Sequence, residues 1–154
     1  MRLQRSSLLT DSINVALLQA MLENPRISTS ELARLVGMSA PAVRERVQRL
    51  EEAELIRGFR VDLNPAMLGY PVMIMIRIRP MPGKLPAIIE LARSTPRVVE
   101  CFRITGEDCF LLRAHIESID ALDSLLDPFL AFGQTTTSIV QSTVVEMRAL
   151  PLNR

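Results

Sequence analysis

Histidine and tyrosine are almost missing from this 154-residue chain, which has one of each, His115 and Tyr70. His115 stands inside an apolar run and Tyr70 between Gly69 and Pro71, so neither has a neighbour with which to exchange a proton in acid–base catalysis. No Ser-His-Asp set, glycine-rich phosphate loop or metal-ligand spacing is present. No enzyme and no cofactor are therefore expected. The two cysteines, Cys101 and Cys109, lie in apolar runs rather than in a C-x-x-C pair, the pattern of reduced thiols in a packed interior. The N-terminus lacks the basic, apolar and small-residue succession of a signal peptide. The longest apolar run, 65–76, contains two prolines and a glycine. At about a dozen residues it falls short of the roughly twenty needed to span a bilayer. A cytoplasmic protein with no membrane partner is expected. Net charge is only +1, so no global basic field announces a nucleic-acid partner.

What the chain does have is aliphatic residue in quantity, 48% apolar overall, and one informative stretch, 27–61. Ser28 and Glu31 have capping-box spacing, and Ile27 and Leu32 have the spacing of a hydrophobic staple, so a helix is expected from about residue 29. Gly37 ends it, because glycine turns through positive φ without a Cβ clash. Ser39 can then cap a second helix, with Met38 stapled onto Val43. On that helix Val43, Val47 and Leu50 follow i, i+4, i+7 and form a buried stripe, leaving Arg44, Glu45, Gln48 and Arg49 outward. Two short helices joined by a tight turn, the second rich in arginine, make a helix-turn-helix for double-stranded DNA. From Arg26 to Arg60 there are seven arginines against five glutamates.

Helix N-terminal residues reach base edges in the major groove, so Ser39, Ala40, Pro41, Ala42, Arg44, Glu45 and Gln48 are the candidates for reading sequence. Arg44 suits guanine and Gln48 adenine. Arg46, Arg49, Arg57 and Arg60 are assigned to phosphates, which set affinity and salt dependence but not sequence.

A first helix is expected over 10–23, ended by Asn24-Pro25. Residues 56–63 alternate around Gly58 as a short β-wing or exit strand. The expected domains are 1–63, a linker 64–71 marked by proline and glycine, and 72–154. In the last, strand-like 72–79, helical 83–94, strand-like 98–104 and 109–116, a helix capped by Ser118 and a Thr/Val-rich strand 134–147 follow in order. Pro128 should kink or divide the second of these helices. The fold class is α+β: an N-terminal helix-turn-helix, winged-helix-like domain joined to a C-terminal βαββαβ ferredoxin-like domain. Residues 72–76 are apolar at every position, whereas a sheet with one wet face should alternate. A second copy covering that face, in a homodimer, is expected.

This arrangement resembles the leucine-responsive regulator and AsnC family, the feast/famine regulators, from about Leu9 to Met147. The residues that carry the resemblance are Arg26-Ile27-Ser28, Leu32-Ala33, Val36-Gly37-Met38-Ser39, Val43 with Arg46, Val47, Arg49, Leu50 and Glu51, Ile56 with Gly58-Phe59, and Thr105-Gly106. The resemblance implies a transcription regulator that dimerises, often builds an octamer from four dimers, and senses amino acids through its C-terminal domain. In the family the loop after the second strand reads Gly-x-x-Asp and meets the bound amino acid; here it is Gly106-Glu107-Asp108-Cys109, with Cys109 in place of the final aspartate. Either Glu107 or Asp108 could pair with a ligand ammonium while loop N–H groups hold its carboxylate, and Thr136 and Ser138 offer hydroxyls nearby. The alternative is an architectural DNA-wrapping protein of the same fold that binds no effector. A related group with the same two modules decarboxylates sirohaem, but that chemistry asks for several His or Tyr residues.

Overall fold

A computed structural model describes residues 8–152. It divides into two compact units: one runs to Val61 and includes the chain from Glu146, and the other is Asp62–Val145. Compared with the domains expected at 1–63 and 72–154, the first boundary falls nearby, and the segment from Glu146 onward belongs to the first unit. No helix among the described residues is long and apolar enough to cross a membrane.

The first unit contains α1 (Ser12–Glu23), α2 (Thr29–Val36) and α3 (Ala40–Glu52). Helix α1 starts two residues later than its apolar spacing suggested, because the Asp11 carboxylate caps it by accepting from the Ile13 and Asn14 N–H groups. The capping box of α2 is closed on both sides: Glu31 N–H donates to Ser28 Oγ at 3.2 Å and Ser28 N–H to Glu31 Oε2 at 2.9 Å. Gly37, at φ +65°, ends α2. There Met38 N–H reaches the Ala33 carbonyl at 3.0 Å and Gly37 N–H the Arg34 carbonyl at 3.4 Å. Together these satisfy carbonyls that the helix itself leaves open. Ser39 Oγ then accepts from Ala42 N–H, and Pro41 occupies the first turn of α3, where a missing N–H costs nothing. The three helices share a core of Leu17, Ala20, Leu32, Ala33 and Val43, with both staple residues, Ile27 and Met38, packed against it. Segment 56–63, expected as a wing or strand, is not one: 57–64 has no regular structure. Its alternation fits a strand, but no strand among the described residues lies alongside to complete a ladder.

The second unit opens with a 3₁₀ turn, Pro65–Leu68, followed by β1 (Val72–Pro80), α4 (Leu85–Ser94), β2 (Val98–Arg103), β3 (Phe110–Ile116), α5 (Leu122–Leu130) and β4 (Gly133–Ile139). The strands form one antiparallel sheet in the order β2-β3-β1-β4. This is the βαββαβ succession read from the sequence. Ile74, Ile76 and Ile78 of β1 and Phe110, Leu112, Ala114 and Ile116 of β3 pack with Ile88 and Ala92 of α4 and Leu125 and Phe129 of α5. Each large aliphatic or aromatic side chain so buried contributes about 1.5–3 kcal/mol.

Two expectations are corrected here, and for Pro128 one of the two expected outcomes is ruled out. Ser118 makes no side-chain cap; a 3₁₀ turn, Ile119–Ala121, leads into α5 instead. Pro128 does not divide α5, which continues to Leu130 with Pro128 on its exposed side. Strand β4 stops at Ile139 rather than 147. Its last contact is Val140 N–H on the Met73 carbonyl at 2.9 Å, and β1 begins at Val72, so later residues meet no strand backbone.

Away from the helices, the other face of the sheet carries Met73, Met75, Arg77 and Arg79 from β1, with Leu111, Arg113 and His115 from β3. The apolar run of β1 therefore supplies two methionines to this face, and alternation resumes beyond them.

Candidate nucleic-acid interface and effector face

Helix α3 presents its arginines unequally. Arg44 is exposed and makes no hydrogen bond or ion pair among the described residues. Gln48 is exposed one turn on and donates from Nε2 to Glu52 Oε1 at 2.8 Å. Arg49 is paired with Glu45 on the same helix. Exposed i,i+4 pairs of this kind are worth only about 0.3–0.5 kcal/mol. Neither Gln48 nor Arg49 is therefore held firmly by its partner on the helix. Arg44 and Gln48 share a shallow concavity of about 500 Å³ with Ile27, Thr29 and Phe59. Ser39 is exposed at the start of the helix, with Ala40, Pro41 and Ala42 in the following turn. Arg57 is exposed and unpaired among the described residues, and Arg60 is exposed with Nη2 2.9 Å from Met147 Sδ.

Arg46 is placed differently from the other arginines named for phosphate. It turns inward, and its Nη1 donates to Asp11 Oδ2 at 2.6 Å and to Asn14 Oδ1 at 2.9 Å. Its guanidinium is tied to α1, which argues against the phosphate role expected of it.

Two carboxylates of this unit are held below the usual carboxylate range. For Asp11 the largest cause is the Arg46 hydrogen bond, which with the Ile13 and Asn14 N–H groups outweighs desolvation. For Glu31 it is the Ser28 hydroxyl and then the Ser28 N–H. Because the fold favours their charged forms, the stability they contribute is fully present above the pH at which such groups titrate in an unfolded chain. It is lost as pH falls through their lower folded values. The helix-turn-helix unit is expected to lose thermal stability below about pH 4, and Asp11→Asn should flatten that dependence in far-ultraviolet circular dichroism melts. An Asp11→Asn curve parallel to wild type would contradict this.

On the open face of the second unit, the loop 104–109 returns beside β1. Cys109 N–H donates to the Ile78 carbonyl and Ile104 N–H to the Cys109 carbonyl, both at 3.0 Å. Asp108 faces Arg77 at 4.0 Å, and Glu107 pairs with Arg79. Thr136 lies directly across the ladder from Arg77, and Ser138 across from Met75. The structure thus brings Gly106, Glu107, Asp108 and Thr136 to one end of this face. It adds Arg77 and Arg79, which sequence reading did not nominate and which only the strand register reveals. Cys109 is half-buried against the core, so its side chain is packing rather than ligand surface.

Comparison with known proteins assigns both units. The family model for the AsnC-type helix-turn-helix domain matches residues 11–51, and that for the Lrp/AsnC ligand binding domain matches 72–150. The chain is 32% identical over 119 residues to the regulatory protein AsnC of Escherichia coli, covering 77% of this chain and 78% of that protein. It is 31% identical over 142 residues to the leucine-responsive regulatory protein of Rhizobium meliloti, covering 90% and 91%. Among solved structures, a transcriptional regulator of Neisseria meningitidis in complex with L-methionine superposes with a TM-score of 0.84 at 28% identity, covering 93% of this chain and 97% of that one.

Proposed function

Since the chain belongs to the Lrp/AsnC family of transcription regulators, we propose that α3 reads an operator through Arg44 and Gln48 and that the sheet unit senses an amino acid. The observation that carries the first half is the exposed Arg44/Gln48 surface on a doubly capped helix-turn-helix. Ser39, Ala40, Pro41, Ala42 and Glu45 border the bases, while Arg49, Arg57 and Arg60 meet phosphates.

The effector half is supported by the L-methionine carried by the N. meningitidis relative and by the mixed charges beside the 104–109 loop. A zwitterion needs one anion and one cation partner. Arg77 with the Thr136 hydroxyl suits its carboxylate, and Asp108 or Glu107 its ammonium, with the exposed pairs of this face exchanged for ligand. Gly106 contributes backbone, and Ser138 lies further along the same strand. Dimerisation through the face that carries Met73, Met75 and Leu111, and assembly of dimers into an octamer, fit the apolar side chains that β1 and β3 set among the charged ones there. The site of action is the cytoplasm, where the DNA is.

A duplex from the protein's own upstream region should shift in a gel, less so as salt rises. Calorimetry with L-methionine, L-leucine and the other common amino acids should give saturable heat for at least one. Arg77→Gln should abolish that heat and leave the gel shift of the unliganded protein intact. No shift at low salt defeats the DNA reading. Absence of heat with every amino acid leaves the ligand-blind, DNA-wrapping alternative.

A further inference from the structure

Arg46 lies in the middle of α3 and is only 27% exposed, unlike Arg44 and Arg49 on the same helix. Its Nη1 is shared by Asp11 Oδ2 at 2.6 Å and Asn14 Oδ1 at 2.9 Å, across more than thirty residues of sequence. The other Asp11 oxygen, Oδ1, accepts from Ile13 N–H at 2.9 Å and Asn14 N–H at 3.3 Å. Asn14, the one buried polar residue among those described, donates from Nδ2 to the Leu8 carbonyl at 3.1 Å. One carboxylate therefore caps α1 and holds the centre of α3 at the same time. The aliphatic core beneath the three helices is non-directional and would tolerate a small rotation of α3, whereas a charge-assisted bond of this length fixes direction.

We propose that Arg46 is a positioning residue for DNA recognition: through Asp11 and Asn14 it sets the angle at which α3 offers Arg44 and Gln48 to the bases, and it neutralises no phosphate. The proposal rests on the DNA-binding reading above. Its electrostatics distinguish it from the phosphate role. If Arg46 met a phosphate, Asp11 would compete for it. Removing the Asp11 charge would then free the guanidinium, tighten binding and steepen the salt dependence. If Arg46 positions α3, removing the same charge lets the helix tilt and weakens sequence-specific binding, although the protein has become more positive.

The test starts from a duplex that the full-length wild-type protein selects from a random pool, compared with a scrambled duplex of equal length. Failure of the wild type to select any duplex would defeat the DNA-binding reading itself, before the variants are reached. Asp11→Asn keeps a good N-cap oxygen, so α1 should remain capped. It is expected to lower the specific-to-scrambled affinity ratio about tenfold, the scale of one mismatched base pair, with an unchanged slope of log affinity against log salt. Arg46→Gln should do the same. The double variant should be no worse than either single one, because both remove the same tie. Circular dichroism melts of each variant establish that the protein measured is folded. Tighter binding by Asp11→Asn overturns the proposal. So does a salt slope reduced by about 0.9 in Arg46→Gln with the affinity ratio intact, which is the signature of one lost phosphate contact. Unchanged affinity in both folded variants overturns it as well, since it would make the tie purely structural.

Discussion

Alanine at Gly133 is expected to lower the stability of the 62–145 unit by about 3 kcal/mol, a fall in Tm of roughly 15 °C for a unit of this size. A Cβ at this position would sit 2.5 Å from the Arg79 carbonyl oxygen and 3.1 Å from both the Arg79 carbonyl carbon and the Pro80 Cα. All three atoms are backbone, so no rotamer change relieves the clash. Gly133 faces Pro80 at the end of the β1–β4 ladder. Just before it, Phe132 accepts from Met81 N–H at 2.9 Å and donates to the Phe129 carbonyl, also at 2.9 Å. Opening the ladder there drags the end of α5 and Phe129, fully buried in the core, with it. The helix-turn-helix has its own core, so its helices should melt as in wild type. Thr136→Ala, on the exposed side of the same strand, is a useful control and should move the transition by no more than about a degree or two. A Gly133→Ala protein that melts with wild type would mean that the two strands can separate at this end without loss.

Local interactions made the helix-turn-helix legible. Ser28 with Glu31, Gly37 and Ser39 act within four residues of themselves, so their spacing alone places the ends of α2 and the start of α3. The βαββαβ order was legible for a similar reason, since each element carries its own period. What failed depends on neighbours distant in sequence. Residues 56–63 have a strand's alternation without a strand beside them, and β4 is cut short where β1 runs out of backbone to pair. The end of α3 carries no glycine; Glu54 takes the left-handed position at φ +56° and the turn closes through Leu55 N–H on the Leu50 carbonyl. Candidate functional residues divide in the same way. Arg44 and Gln48 are exposed because they lie opposite Val43 and Leu50 on one helix, a matter of periodicity. Arg46 flanks that buried stripe, three residues from Val43 and four from Leu50, and its partner Asp11 could only be found in space. Arg77 and Arg79 meet the 104–109 loop because of strand register and the return of that loop, which spacing within one strand does not encode.

Removing both side chains proposed to read bases, in Arg44→Ala/Gln48→Ala, should cost about 2–6 kcal/mol of specific binding if each contributes as one bidentate base contact does. That corresponds to at least a thirtyfold loss on the selected duplex. Affinity for scrambled DNA should fall far less, because Arg49, Arg57 and Arg60 remain to meet phosphates. Stability should barely change: Arg44 is unpaired among the described residues, and the exposed Gln48–Glu52 bond is worth a few tenths of a kcal/mol. Arg57→Ala makes the opposite case. It should weaken selected and scrambled duplexes alike and lower the salt slope by about 0.9. Competition binding at two or more salt concentrations separates these outcomes, because specificity appears as a ratio and phosphate contact as a slope. If the double variant lost affinity equally on both duplexes, Arg44 and Gln48 would be touching backbone, and the sequence-reading surface would have to be moved toward the first turn of α3, where Ser39 and Pro41 are also exposed.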